Sequence, residues 1–510
     1  FIAWMPQSDL ELMPAPNPYA RIGEPRAASN DNRNAFLHTA DEQFPFHSTA
    51  LAVHLVRLYS ILLGALTVLA TYLLACEIFP NQPEIAWGAS LLVAFLPQFL
   101  FISGAVSNDS LATLLSVAAL WQMARIVHKG LKTTRALVLG LTIGAALLTK
   151  LNTIALLPLA SVVILFVAWQ KRDWRGLVAN GVQVAAVAAL VAGWWYWRNI
   201  LLYGDPTTFA RLAVLVGQRP RTMGLLRWTI AESEGLRLSA WGMFGWFNIS
   251  APPLFYQFFD VLAAVGLLGI IVALVTRRGV PAALAILPLW FGLVFFALWE
   301  YASNIITSQG RLLFPALAAY AVLWSWGINT LVPLRLRTWV LGGLASVLVV
   351  VAALTPGLVI LPAYAPTLLA ADAATPGMSP LGWQFENGIE WVSASLDRRS
   401  LYPGQPVDVT IYQRVPAGNI ALPAVFIHLV NSAGSIVAQR DSLLASGNLH
   451  SLAAPAIVAD SFRVSVPIGA PAPDAWRVEM GIYDPATGKR WQATDREGRP
   501  LGDTLILDTI

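Results

Sequence analysis

More than half of the 510 residues are hydrophobic (56%) and only 12% are charged, with 20 Trp among them, which excludes an ordinary soluble chain and leaves a protein built mostly for a membrane. The formal charge of +4 does not mark a nucleic-acid binder, because Lys and Arg fall in short clusters between apolar segments, as topology signals do. The single cysteine, Cys76, lies in an apolar run and excludes an internal disulfide and a Cys-based metal site.

The chain opens on "FIAWMPQSDL". Beginning at Phe1, this reads as the tail of an apolar element already under way, so an N-terminal part of the protein is expected to precede it. Residues 1–50 then read as an outer loop segment ending in "TADEQFPFH", where Asp41 and Glu42 are adjacent. A bilayer-crossing helix needs about 20 apolar residues. Runs of that kind occur at 54–78, 85–104, 110–127, 134–149, 152–170, 177–198, 257–276, 280–300, 311–332 and 337–361, so ten spans are expected. The run 134–149 is short, and only "TKLN" separates it from the next.

The connecting loops alternate in character. "RIVHKGLKTTR", "KRDWR", the pair Arg277 and Arg278, and "RLR" at 335–337 are rich in Lys and Arg, and short loops of this kind stay cytoplasmic. The loop around Glu77 and Glu84 belongs with them by alternation, although it carries no Lys or Arg. The other set faces out: residues 1–50, "SND", "TKLN", the long loop 199–256, "EYASNIITSQGR" and everything after 362.

This sorting gathers polar side chains at one end of the predicted bundle: Asn108, Asp109, Lys150, Asn152, Arg198, Asn199, Tyr203, Asp205, Glu300, Tyr301, Gln309 and Arg311. Each alone reads equally as a cap or an interface residue; "SNDS" before an apolar run is a good helix start for Asp109, and Lys150 and Arg311 are long enough to snorkel. As a set they read as the lining of a cavity, because ionisable groups at membrane depth are costly.

Within the outer loop, "RLAVLVGQRPRTMGLLRWTIAESEG" has near-helical spacing of apolar and basic residues and predicts one or two helices along the membrane surface. "SAWGMFGWFNISAPPLFYQFFD" follows, with Trp241, Phe244, Trp246 and Phe247 close together, as an aromatic interface belt or a platform beside a sugar or lipid site. A linker at 362–382 leads to a change in composition. From about residue 383, short alternating runs such as "PVDVTIYQRV", "AVFIHLVNS", "SFRVSVPIG" and "AWRVEMGIYDP" predict an exported antiparallel sandwich of immunoglobulin-like type over 383–510. His428 and His450 have no evident partners there. No Walker loop, dinucleotide fingerprint, HExxH or GxSxG occurs in the sequence.

Five stretches taken in order carry a resemblance: "HLVRLYSILLGALTVLATYLLACEIFP", "LLVAFLPQFLFISGAVSNDSLATLLSVAALW", "LTIGAALLTKLNTIALLPLA", "WWYWRNILLYGDP" and "SQGRLLFPALAAYAVL". Over roughly residues 50 to 330 the chain resembles the GT-C glycosyltransferases, in the branch of family 39, the protein mannosyltransferases and the aminoarabinose transferase of lipid A. The resemblance implies a polytopic all-α membrane domain (51–361) that takes a sugar from a polyprenyl-phosphate donor on the outer face of a bacterial plasma membrane. The acceptor, and any complex partners, stay open.

The resemblance also implies site residues. The family keeps an acidic base in its first outer loop, often within an Asp-Glu pair, which Asp41 and Glu42 match superficially. It keeps a second acidic position in a later outer loop, which Asp109 matches in placement. Lys150, Arg198 and Arg311 are similar to positions that meet the donor phosphate. Glu300 is a further candidate acid, and Asn108, Asn152, Asn199, Tyr203 and Gln309 are candidate substrate contacts. Some relatives use a divalent metal, so a metal stays open too. The chemistry is coherent on its own terms: a carboxylate removes the acceptor's proton, while cations stabilise the departing phosphate. A non-catalytic subunit of a membrane assembly and a lipid-linked sugar transporter are the competing readings.

Overall fold

The computed structural model describes residues 15–23, 32–38, 42–219, 224–276, 280–305, 307, 309–370, 379–416, 423–447, 457–470 and 472–510. These form two compact units, the first from Leu51–Met243 and Ala251–Thr355 and the second from Pro6–Ala50, Phe244–Ser250 and Pro356–Ile510.

The first unit is helical. Its elements are α1 (Ser48–Ile78), α2 (Pro83–Ala94), α3 (Pro97–Ser103), α4 (Asp109–Lys129), α5 (Thr133–Thr149), α6 (Leu156–Lys171), α7 (Trp174–Tyr203), α8 (Phe209–Val216), α9 (Leu225–Trp241), α10 (Pro253–Val275), α11 (Ile286–Asn304), α12 (Leu317–Leu331) and α13 (Arg337–Thr355). The ten expected apolar runs are all helical, but they are not ten equal spans. Among the described residues, eight helical stretches are long and apolar enough to cross a membrane. The run read as 85–104 is the pair α2 and α3, bent by 61° where Phe95 and Leu96 leave the helix and Pro97 restarts it. The run 134–149 is α5, 17 residues, about 25 Å at the helical rise and short of a full hydrocarbon core.

Contacts sort the helix ends into two sets. At one, Asn108 donates to the Thr149 carbonyl at 3.0 Å and the Gln98 amide oxygen accepts from the Met243 N–H at 2.6 Å. At the other, Glu77 meets Lys129 at 3.4 Å, Arg135 donates to the Gly130 carbonyl at 2.6 Å, and Asn329 donates to Gln82 at 3.3 Å. The bent pair and the short α5 thus still run from one end of the bundle to the other. The loop after Glu77, unsupported by its own charges, shares an end with the basic turn between α4 and α5.

Small residues set the closest packing. A Cβ on Gly269 of α10 would collide with the Gly327 carbonyl of α12, and one on Gly140 of α5 with the backbone of Val184 in α7. Close approach through glycine is how apolar helices associate where water gives no driving force. α12 is the central helix, with Leu317, Ala318, Val322, Trp324 and Ile328 buried among its neighbours. Two helices, α8 and α9, occupy the long loop after α7, as the spacing there predicts.

Among its described residues the second unit is mainly β, with short helical turns at Pro356–Ile360, α14 (Leu361–Tyr364) and Leu444–Gly447. Its larger strands are β5 (Thr367–Leu369), β6 (Ser379–Phe385), β7 (Glu390–Leu396), β8 (Pro406–Arg414), β9 (Ala424–Val430), β10 (Ile436–Leu443), β11 (Ile457–Ser465), β12 (Arg477–Tyr483), β13 (Ala493–Thr494), β14 (Pro500–Gly502) and β15 (Leu505–Thr509), which follow the small pairs β1 (Ala15–Pro16) with β2 (Phe36–Leu37) and β3 (Met243–Phe244) with β4 (Ile249–Ser250). One sheet has seven strands in the order β14-β13-β6-β7-β8-β11-β5, the other four in the order β10-β9-β12-β15. Alternation builds the shared core: Val407, Val409 and Ile411 of one sheet and Val425, Ile427 and Leu429 of the other are fully buried. Strand β5 lies inside the segment read as a linker and pairs with the edge of β11.

The described parts of the N-terminal segment pack onto this β unit. The Asn17 amide donates to the Asn32 side chain at 2.9 Å, and the Asn32 amide donates to the Ser442 hydroxyl and, at 3.1 Å, to the Leu443 carbonyl. Tyr19 meets the Tyr483 hydroxyl at 2.8 Å. The Asn248 amide donates to the Arg21 and Arg33 carbonyls at 2.7 and 2.9 Å. Three segments remote in sequence are therefore held by buried asparagines, each with its polar groups satisfied by backbone or side chain.

Candidate functional site

Asp109 begins α4, and the cap at Asn108 makes no side-chain hydrogen bond to the helix. The Asp109 carboxylate turns instead toward other elements. It is 3% exposed and forms an ion pair with Lys150, the residue that closes α5, while its other oxygen lies 3.5 Å from the Arg311 guanidinium. Ser107 adds its hydroxyl to the same oxygen at 3.1 Å and accepts the Asp109 N–H at 3.1 Å. Two cations thus share one carboxylate, leaving a surplus of positive charge with donors to spare. The Arg311 side chain is 38% exposed, and its Nε is held by Gln309 at 2.7 Å.

Arg311 reaches Asp109 because of how its turn is mounted. It lies in a 3-10 turn, Gly310–Ala316, and the Gly310 N–H donates to the Ser239 hydroxyl of α9 at 2.6 Å. α9 is fixed in turn by two ion pairs. Glu232 pairs with Arg219, which also donates to the Ala302 carbonyl at the end of α11 at 2.8 Å. Arg237 pairs with Asp260 of α10 at 2.6 Å, and the Trp241 N–H donates to the same carboxylate at 3.0 Å.

Of the residues singled out from sequence, Asp109, Lys150, Arg311, Gln309 and Asn108 come together at one end of the bundle. Asn152 sits two residues past Lys150, half-buried, with its side-chain oxygen buried and without a hydrogen-bond partner among the described residues. The others make different contacts. Arg198 stacks on Trp195 of its own helix, ring centroid at 5.2 Å, and Asn199 donates to the Pro206 carbonyl at 3.1 Å. Tyr203 lies under Arg211 at 4.8 Å, and the exposed Glu300 carboxylate meets Asn304 at 3.5 Å. Asp205 accepts from the Thr207 N–H and hydroxyl at 2.8 Å, which holds its carboxyl below the usual range and fixes the turn after α7. Glu42 belongs to the second unit, where it meets His38 at 2.8 Å. Asp41 and His450 lie outside the described residues.

The groups that sequence reasoning missed are Ser107, the Ser239–Gly310 contact and the Arg237–Asp260 pair. For the last a signal existed: Asp260 is the lone carboxylate of an apolar run, "FYQFFDVLAAVG", and such a residue inside a span points to a partner. Among the described residues no three His, Cys, Asp or Glu side chains converge. The neighbours of Asp109 are cations, so this cluster does not fit a divalent metal.

Residues 26–211 match the model of the dolichyl-phosphate-mannose-protein mannosyltransferase family, a stretch that contains Asp109 and Lys150. Among curated proteins, none matches the chain by sequence. Among solved structures, the chain is similar to ArnT from Cupriavidus metallidurans in the apo state, at 17% identity over 62% of this chain and 51% of that one, with a TM-score of 0.37. ArnT from the same organism bound to undecaprenyl phosphate is similar at 17% identity, 62% and 52% coverage and a TM-score of 0.38. The Archaeoglobus fulgidus oligosaccharyltransferase in complex with Zn and sulfate is similar at 19% identity, 62% and 41% coverage and a TM-score of 0.35. The chain spans about half the length of the ArnT structures it matches.

Proposed function

We propose that this integral membrane chain transfers a sugar from a polyprenyl-phosphate donor to an acceptor on the outer face of the membrane. The observation that carries the reading is the Asp109 cluster, where one buried carboxylate holds Lys150 and Arg311 at a single bundle end with cationic donors left over. The family description, which names a prenyl-phosphate sugar, supports the same donor class. In the transfer, an acceptor oxygen forms a bond to the anomeric carbon as the bond from that carbon to the phosphate oxygen breaks, and negative charge grows on the phosphate. Lys150 and Arg311 stabilise that charge, Arg through paired N–H groups and Lys as a point charge.

Asp109 serves this chemistry as a positioning residue. Both of its oxygens are engaged by cations and the Ser107 hydroxyl, which makes it an anchor for the two bases. The proton of the acceptor goes to a different carboxylate.

The test is mass spectrometry of lipids that copurify with the protein, beside a transfer assay with a polyprenyl-phosphate sugar. A polyprenyl phosphate or its glycoside in the native sample, depleted in Lys150→Ala and Arg311→Ala, is the expected result. Bulk phospholipid alone in all three, together with tightly bound protein partners, would sink the proposal in favour of a structural subunit.

A further inference from the structure

We propose that the other end of α4 holds the phosphate head of an anionic phospholipid, in the leaflet opposite the Asp109 cluster. This inference rests on the membrane character of the helical unit and not on the transfer reaction. α4 is 21 residues long, about 30 Å at the helical rise, so its two ends lie at opposite faces of a bilayer.

Glu77, in the last turn of α1, has a side chain only 13% exposed and faces three bases of α4: Lys129 at 3.4 Å, His128 at 3.5 Å and Arg125 at 3.9 Å. One carboxylate against two permanent cations and an imidazole leaves positive charge unbalanced. The bases remain open, with Lys129 48% and Arg125 38% exposed. Arg125 is held over the Trp121 ring at 4.9 Å, with its buried Nε turned to Glu77 at 3.9 Å and the rest of its guanidinium on the open side. Lys132 and Lys171 are exposed beside the same turn, whereas Arg135 is spent on the Lys129 and Gly130 carbonyls at 2.8 and 2.6 Å.

A soluble phosphate would share this chemistry, but the surface leading to the bases favours a lipid. Leu62, Leu66, Leu69 and Leu73 are exposed on α1 at spacings of four, three and four, which places them on one face of the helix, and the next step of four is Glu77. An acyl chain lying on that stripe brings its head group to Arg125 and Lys129. The Glu77 carboxylate repels a phosphate, so it sets the bases in place from behind while the phosphate meets their exposed side. Basic residues near an anionic head group contribute about 1 kcal/mol each, or roughly fivefold in affinity.

The experiment titrates the purified full chain in detergent with phosphatidylglycerol or phosphatidylcholine and counts bound lipid by native mass spectrometry. Phosphatidylglycerol should be preferred, Arg125→Ala with Lys129→Ala should remove about fivefold per base, and Glu77→Gln should strengthen retention. Leu69→Asn, which leaves the charges intact, should weaken it, and this variant keeps the test decisive if the double variant does not fold. Equal retention of the two lipids, or a preference that survives the double variant, overturns the proposal. So does full displacement of phosphatidylglycerol by millimolar inorganic phosphate, which would assign the site to a soluble anion.

Discussion

Ser239 and Gly310 touch through a single hydrogen bond of 2.6 Å, and a side chain at Gly310 would overlap the backbone nitrogen of Ala240. The residue after that glycine is Arg311, so the approach of α9 to the 3-10 turn sets how far the guanidinium reaches toward Asp109. Gly310→Ala should push the turn away from α9. The expected outcome is a drop in transfer of at least about tenfold, in keeping with the cost of small misplacements at a reacting centre, carried more by KM for the lipid donor than by kcat. An unchanged KM would show that Arg311 does not meet the donor.

Removing Lys150 should be more disruptive than removing the charge it neutralises. Lys150→Ala leaves a nearly buried carboxylate with Arg311 at 3.5 Å as its remaining cation, and breaking one side of a buried pair costs about 3–5 kcal/mol. Asp109→Asn keeps the shape and should fold, with transfer lowered strongly. Thermal unfolding in detergent of the two variants should therefore rank Lys150→Ala below Asp109→Asn; the reverse order would mean that Asp109 acts chiefly as a helix-start residue.

Asn32 is buried and joins Asn17 to the Ser442 hydroxyl and the Leu443 carbonyl. Asn32→Ala leaves several of those groups unsatisfied, at about 1–3 kcal/mol for a buried group that loses its partner. Limited proteolysis of the full chain should show faster cleavage within the β unit, with the helical unit unaffected.

His428 on β9 gives the β unit a pH dependence. Burial pushes its pKa below the ordinary value of 6.5, with Arg490 adding to the effect while Asp441 and Glu479 oppose it. The unfolded chain therefore binds the proton more readily, so the stability that His428 contributes is fully present above about pH 6.5 and is lost as pH falls from there through the folded value. His428→Gln should flatten the slope of stability against pH below 6.5; an unaltered slope would place the titration elsewhere.

What the sequence revealed of this architecture follows from local physics. Apolar runs are read by length, and all ten are helical, one of them as the bent pair α2 and α3. Asp109, Lys150 and Arg311 were visible as charges at helix ends, because their positions are set by the ends themselves. The bend between α2 and α3 was signalled by Pro97 in "FLPQF", yet the unbroken hydropathy of the run hid it. Which polar ends converge was not legible, since Asp109 meets a residue 41 positions away and another 202 positions away through the packing of several helices. Nor did a linear reading show that the N-terminal segment joins the β unit, because asparagines that satisfy remote backbone groups look like ordinary loop residues in sequence.

The asparagine staple of the β unit also imposes an order on biosynthesis. Asn32 emerges from the ribosome before its partners Ser442 and Leu443, which follow 410 and 411 residues later. At about 5–20 residues per second that interval lasts tens of seconds. During it the Asn32 segment has no native partner for its buried amide, while the described apolar helices are delivered to the bilayer. A chain interrupted before those residues can insert its helices but cannot close its β unit, so the exposed Asn32 segment becomes a readable mark of an unfinished molecule.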